Sequence, residues 1–114
     1  MTAEPADDVS VRDNPGAHRF EIWAGGKRAG FAAYRLEGDA YAFTHTEVSD
    51  AVEGQGLGSR LVREALTGLR DRGVAVLPYC PFVKAYLQRH PELVDVVPET
   101  DRARFGLAPA TDPG

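Results

Sequence analysis

The residues best suited to chemistry are few, and they cluster around the middle of the chain. In Glu53-Gly54-Gln55-Gly56-Leu57-Gly58 three glycines alternate with other residues, and Ser59-Arg60 open an amphipathic run directly behind them. A helix starts with amides that have no partner inside it, and that end carries partial positive charge. Glycines just ahead of it let an anion come close to the backbone. The stretch is a recipe for a phosphate or pyrophosphate cradle, although glycine-rich loops also serve as plain turns. Upstream, His45 and Glu47 stand two apart in a run rich in β-formers, so on a strand they share a face. A neutral imidazole suits proton transfer at pH 7; the plainer reading is two polar positions on a half-exposed strand. Downstream stands Cys80, the single cysteine. It is either a small buried hydrophobe or a reactive thiol, and the second role needs a thiolate that a free thiol supplies only in part at pH 7. One cysteine rules out an intrachain disulfide. Three scattered histidines and one cysteine lack the spacing of a metal site.

The elements that must position these residues follow from periodicity. Val9 to Asp13 alternates like a short strand, and Asn14-Pro15-Gly16 is a turn signal. His18 to Ala24 is a second strand, Gly25-Gly26 a hairpin turn, and Arg28 to Leu36 a third strand with Phe31, Ala33 and Arg35 on one face. Gly38-Asp39 turns the chain into a fourth strand, Ala40 to Val48, which completes an antiparallel meander. Behind the glycine loop, Leu57, Leu61, Ala65, Leu66 and Leu69 recur at helical spacing, and Gly73 stops the helix. Val74 to Tyr79 is a continuous apolar run, as in a strand buried on both faces. Strand, helix and buried strand imply a right-handed crossover and a parallel pair. Pro78 cannot donate to a ladder, so pairing ends near it. A shorter helix is expected over Phe82 to His90, with Phe82, Val83, Tyr86 and Leu87 on one side and Pro91 as its stop. Leu93 to Val97 is a last short strand or a loose apolar cover. The expected fold class is α/β: one domain over residues 9–101 with a mixed, mostly antiparallel sheet and two helices, a disordered tail at 1–8 and a flexible tail at 102–114.

Bulk properties narrow the function. A length of 114 residues allows one modest core. A net charge of -4 argues against non-specific nucleic-acid binding, which wants a basic face. No signal peptide and no long apolar run are present, so the default is a cytoplasmic protein without a membrane partner. Oligomeric state stays open, since an exposed strand edge can pair.

The order of meander, glycine loop, long helix, buried strand and short helix resembles the GNAT superfamily of N-acetyltransferases. That superfamily's acetyl-CoA motif is Arg/Gln-x-x-Gly-x-Gly/Ala, and here it reads Glu53-Gly54-Gln55-Gly56-Leu57-Gly58. His45-Thr46-Glu47-Val48, the glycine loop, Cys80-Pro81 and His90-Pro91-Glu92 look like the small single-domain branch, which lacks the first helices of larger members. The similarity covers roughly residues 10 to 98. Glu53 departs from the pattern. Its carboxylate would repel phosphates if it faced them, so it is expected to point to solvent. Two other nucleotide motifs fail: Ser59 holds the last position of Gly-x-Gly-x-x-Gly, and no Gly-Lys-Ser/Thr occurs.

The resemblance implies an activity: transfer of acetyl from acetyl-CoA, as co-substrate and with no metal, to an amine that the sequence does not identify. It places the thioester between the splayed fourth and fifth strands. Val48 and Ser49 then supply backbone groups near the pantetheine and carbonyl. Gly54, Gln55, Gly56, Leu57, Gly58 and Ser59 hold the pyrophosphate. His45 or Glu47 takes the amine proton, directly or through water. Cys80 lies beside the acetyl group, as a nucleophile or a proton-transfer aid. Tyr86 resembles the tyrosine that donates to the leaving thiolate in many relatives, but it stands one residue off that spacing, and core packing suits it better. Arg60 in the first turn is within reach of a phosphate. The rival readings are a non-catalytic CoA-binding or regulatory module, and a protein-interaction module that reused the fold.

Overall fold

The computed structural model describes residues 9–49 and 56–107. Five strands form one sheet in the order β1-β2-β3-β4-β5: β1 (Val9–Asn14), β2 (Arg19–Ala24), β3 (Lys27–Glu37), β4 (Ala40–Val48) and β5 (Val76–Pro78). The first four pair antiparallel in sequence, and β5 joins β4 in parallel. The turns work as their residues dictate. Gly25 and Gly26 sit at φ 61° and 82°, the positive pair that a tight two-residue hairpin needs.

Helix α1 (Leu57–Asp71) crosses between β4 and β5. Its buried stripe is Leu57, Leu61, Val62, Ala65, Leu66 and Leu69, as the periodicity predicts. It ends in a Schellman motif. Gly73, at φ 71°, donates to the Arg70 carbonyl at 3.0 Å, and Val74 donates to that of Leu69 at 2.9 Å. Helix α2 (Pro81–Arg89) starts one residue earlier than the sequence suggests, with proline in its first turn, where a missing N–H costs nothing. Both helices lie over the sheet face that carries Ala32 and Phe43, where Val62 and Leu66 of α1 meet Val83 of α2. Phe20, Ile22, Tyr34 and Phe43 belong to the same core. At its lower end the buried Tyr34 hydroxyl donates to Asp13 Oδ1 at 2.7 Å. Burial, and then this carboxylate, push the phenol well above its ordinary range.

Phe31, Ala33 and Arg35 share a face as expected, and it is the outer one; Ala32 and Tyr34 face the core. Three expectations need correcting. The Val74 to Tyr79 run is a strand only over Val76–Pro78. Of the two readings of Leu93 to Val97 the strand fails and the apolar cover holds: Pro91–Val96 is a 3-10 helix burying Leu93, Val94 and Val96 against α1 and α2. The ordered domain also runs past 101. Short 3-10 turns at Glu99–Asp101 and Ala103–Phe105 bring Phe105 edge-on to Tyr79 at 5.2 Å. Phe105 and Leu107 are buried, so 102–107 belong to the fold. The tails at 1–8 and 108–114 lie outside the described residues.

Candidate functional site

Three elements converge where α1 begins. The parallel ladder covers only Tyr41↔Val76, Ala42↔Leu77 and Phe43↔Pro78. The Cys80 amide then donates to the Phe43 carbonyl at 2.8 Å, and the chain turns into α2. β4 runs on to Val48, still paired to β3, so the two parallel strands part beyond Phe43. The Ser49 amide donates to the Ala29 carbonyl at 2.7 Å on the β3 side. Alternation along an antiparallel strand then turns the Val48 amide to the opposite edge, toward the gap.

The start of α1 closes one end of this gap. Gly56 is its N-cap at φ 73°, a left-handed conformation that suits glycine. Among the described residues no side chain caps the helix, and its first turn carries no acid. The amides of Leu57, Gly58 and Ser59 therefore keep their donors turned outward. A Cβ on Gly58 would stand 3.3 Å from Val48 Cγ2 and 2.9 Å from Phe82 Cζ. Helix start, strand end and the head of α2 are thus packed together. Sequence reasoning set Phe82 on the buried side of α2; it is 40% exposed and lies on the first turn of α1. The signal that could have found it is Gly58, since a glycine inside a helical pattern often marks a close neighbour.

The predicted catalytic residues divide between the two faces of β4. Thr46 pairs with Ala32 on the helix side, and its Oγ1 lies 3.3 Å from Cys80 Sγ. Cys80 is 2% exposed. His45 and Glu47 point to the outer face, both well exposed, with His45 Nε2 2.8 Å from Glu47 Oε2. These two form a pair, and the thiol is separated from them by the strand. Val48, Gly56, Leu57, Gly58 and Ser59 come together at the gap with Ser49 beside them, whereas Gly54 and Gln55, with Glu53, lie outside the described residues. Arg60 is engaged elsewhere: its Nε donates to Glu64 Oε2 at 2.7 Å. Tyr86 is buried and stacks on His90 with ring centroids 4.1 Å apart. No group of three metal-ligating side chains occurs among the described residues.

The outer face also carries a cluster that the sequence did not reveal. Glu21 is the one buried charged side chain among the described residues, at 5% exposure. Burial raises its pKa, but hydrogen bonds from Arg19 Nε (2.8 Å), Asn14 Nδ2 (3.1 Å) and Trp23 Nε1 (3.0 Å) outweigh that and hold the carboxyl below its ordinary value. Arg28 Nη1 approaches the same carboxylate at 3.9 Å. The guanidiniums of Arg19 and Arg28 lie over the Phe31 ring at 5.1 and 5.9 Å, and the His45 ring stands 6.1 Å from it. Beside them opens a cleft of about 190 Å³ lined by Arg28, Gly30, Phe31, Glu47, Val48 and Ser49.

Comparison with known proteins decides the family. Residues 19–96 match the GCN5-related N-acetyl-transferase family. The chain belongs to that family. No curated protein matches the sequence. Among solved structures, a GCN5-like putative N-acetyltransferase from Staphylococcus aureus is 23% identical, over 79% of this chain and 88% of that one, with a TM-score of 0.61. It shares the fold. The ribosomal-protein-S18-alanine N-acetyltransferase of Escherichia coli is 30% identical over 51% of this chain, with a TM-score of 0.47. The ribosomal-protein-alanine N-acetyltransferase of Brucella melitensis is 17% identical over 84%, with a TM-score of 0.46. This chain spans 38% and 64% of the length of those two enzymes. For a GCN5-related domain the residues present fit acetyl-CoA. The uncapped, acid-free start of α1 suits a diphosphate, and the parted strands leave the Val48 amide facing the space an acyl arm would enter.

Proposed function

We propose that this protein transfers an acetyl group from acetyl-CoA to a primary amine. The observation that carries the reading is the juxtaposition of an uncapped helix start with the point where β4 and β5 separate. Bound acetyl-CoA supplies an acyl group already activated as a thioester. In this reading the first amides of α1, with Gln55 and Gly54 ahead of them, hold the pyrophosphate through backbone donors. The Val48 amide faces the thioester carbonyl and stabilises negative charge as it develops on the oxygen. The amine nitrogen forms a bond to the carbonyl carbon, the carbon–sulfur bond breaks, and the amine proton passes to the His45–Glu47 pair. The departing thiolate takes up a proton, from solvent or from a nearby side chain.

Cys80 serves in this scheme as the packed wall of the slot, held by Thr46 and by its own amide. Its burial supports a positioning role over a covalent one. A cytoplasmic setting fits the composition, and among the described residues no helix is long and apolar enough to cross a membrane. The test combines calorimetric titration with acetyl-CoA and an assay of free CoA thiol against an amine panel. Saturable binding with amine-dependent thiol release is expected. Absence of acetyl-CoA binding would remove the enzyme reading, while binding without turnover on any amine would favour a regulatory CoA-binding module. Intact-mass analysis under denaturing conditions should show no acetyl on Cys80.

A further inference from the structure

From the outer-face cluster we infer the acceptor class: an amine that carries its own anionic group, bound in the cleft between Arg28 and Glu47. The inference rests on the acetyl-transfer reading and deepens it. The cleft lies over the end of the β3–β4 pair, lined by Arg28, Phe31, Glu47, Val48 and Ser49, and Val48 borders both the cleft and the gap. An acceptor filling it meets the Glu47 carboxylate, which His45 bonds, and the Arg28 guanidinium. The first attracts an ammonium and takes its proton; the second attracts an anion.

The charges around the cleft favour this over a polycationic acceptor. Among the described residues Arg12, Arg19 and Arg28 stand there with Glu21 and Glu47, while Arg35, farther along the same face, is paired with Glu37. Glu21 is spent, since it is buried and accepts from Arg19, Asn14 and Trp23. At 3.9 Å its hold on Arg28 is loose, and the Arg28 side chain is 43% exposed. One carboxylate thus restrains two guanidiniums, and Arg28 keeps donors turned to the cleft for an anion. Stacking of both guanidiniums on Phe31 fixes their positions without using their donors. Phe31 pairs directly with Glu47 across β3 and β4, so the sheet itself sets the ring that carries Arg28 beside Glu47. The close approach is enforced by Gly30, where a Cβ would meet the Glu47 carbonyl oxygen at 2.5 Å.

Matched acceptors test this. Glycine is compared with glycinamide, β-alanine with its amide, and O-phosphoethanolamine with ethanolamine, each by CoA release and corrected for the fraction of free amine. The anionic member of at least one pair should show kcat/KM higher by about tenfold or more, the scale of one charge-assisted hydrogen bond. The carboxylate and phosphate pairs tell which anion the cleft prefers. Arg28→Ala should shrink that ratio to within about threefold, and Arg28→Lys should restore part of it, because a point charge replaces a fork. Equal rates for charged and neutral members, or a ratio that survives Arg28→Ala, would overturn the inference and leave acetyl transfer standing. If acetyl-CoA does not bind at all, amide-shift titration with the same compounds still decides. Shifts centred on Phe31 and Glu47 that vanish in Arg28→Ala support the cleft, and their absence rejects it.

Discussion

Glu47 and His45 face solvent as a hydrogen-bonded pair and contribute little to the core, so their removal should be felt in turnover and not in folding. Replacing Glu47 by Gln, or His45 by Gln, should lower kcat by about 10²-fold, the low end for a positioned proton acceptor. Affinity for acetyl-CoA and melting temperature should stay put. Steady-state rates alongside thermal melts check this, and an unchanged kcat in both variants would place the base elsewhere. Gly58 makes the opposite kind of prediction. An added methyl presses on Phe82 Cζ at 2.9 Å, the far end of an exposed ring that can swing away, and on Val48 Cγ2 at 3.3 Å. Alanine also favours the helix by about 1 kcal/mol. Gly58→Ala should therefore fold with stability within about 1 kcal/mol of the parent, while the displaced ring and the filled approach to the first-turn amides weaken acetyl-CoA binding by about tenfold. Calorimetry on the two proteins separates these effects.

At the scale of elements, the outer sheet face is held by Glu21, and its chemistry gives stability a pH dependence. Its carboxyl is held below the ordinary value in the folded protein. The stabilisation it brings is present above the unfolded value near 4.5 and is lost as pH falls through the folded one. Glu21→Gln should remove that component, flattening the loss of stability below about pH 4.5. At pH 7 it should cost about 2 kcal/mol, the worth of charge-assisted bonds to Arg19; denaturant titrations at pH 7 and pH 3.5 measure both. This cluster was not legible in the sequence, because Asn14, Arg19, Glu21, Trp23 and Arg28 come from three strands and meet only through register. The strands and α1 were legible, since each follows a strong period with glycine punctuation. The division of the site was only half legible. Two-residue spacing set His45 and Glu47 on one face, where the structure also bonds them, but the same alternation turns Thr46 inward to Cys80 and so sets the thiol on the other face. The slip in register at Ala33/Tyr34, which leaves Thr44 as the extra residue, has no signature in the residue types.

The whole molecule solves a problem that its short length creates. β5 is a three-residue edge strand, and an exposed edge invites pairing with another chain. The segment after α2 packs around the strand's exit: Pro91–Val96 buries against α1 and α2, and the chain then brings Phe105 against Tyr79, one residue past β5, while Gln88 Nε2 donates to the Gly106 carbonyl at 3.4 Å. Composition misled here, because Ala, Pro and Asp around 101–114 suggest a loose tail, and two apolar residues in such a stretch carry no period. Phe105 and Leu107 are nonetheless at 4% and 6% exposure. Phe105→Ala should thus destabilise the fold by about 3 kcal/mol, as for other buried aromatics cut to alanine. Because Tyr79 immediately precedes Cys80, the loss should also spread to the strand gap. Hydrogen exchange should quicken first at the Cys80 amide, which bonds the Phe43 carbonyl, and acetyl-CoA affinity should fall in parallel. A variant that keeps parental stability and Cys80 protection would show that this segment packs on Tyr79 without supporting the gap.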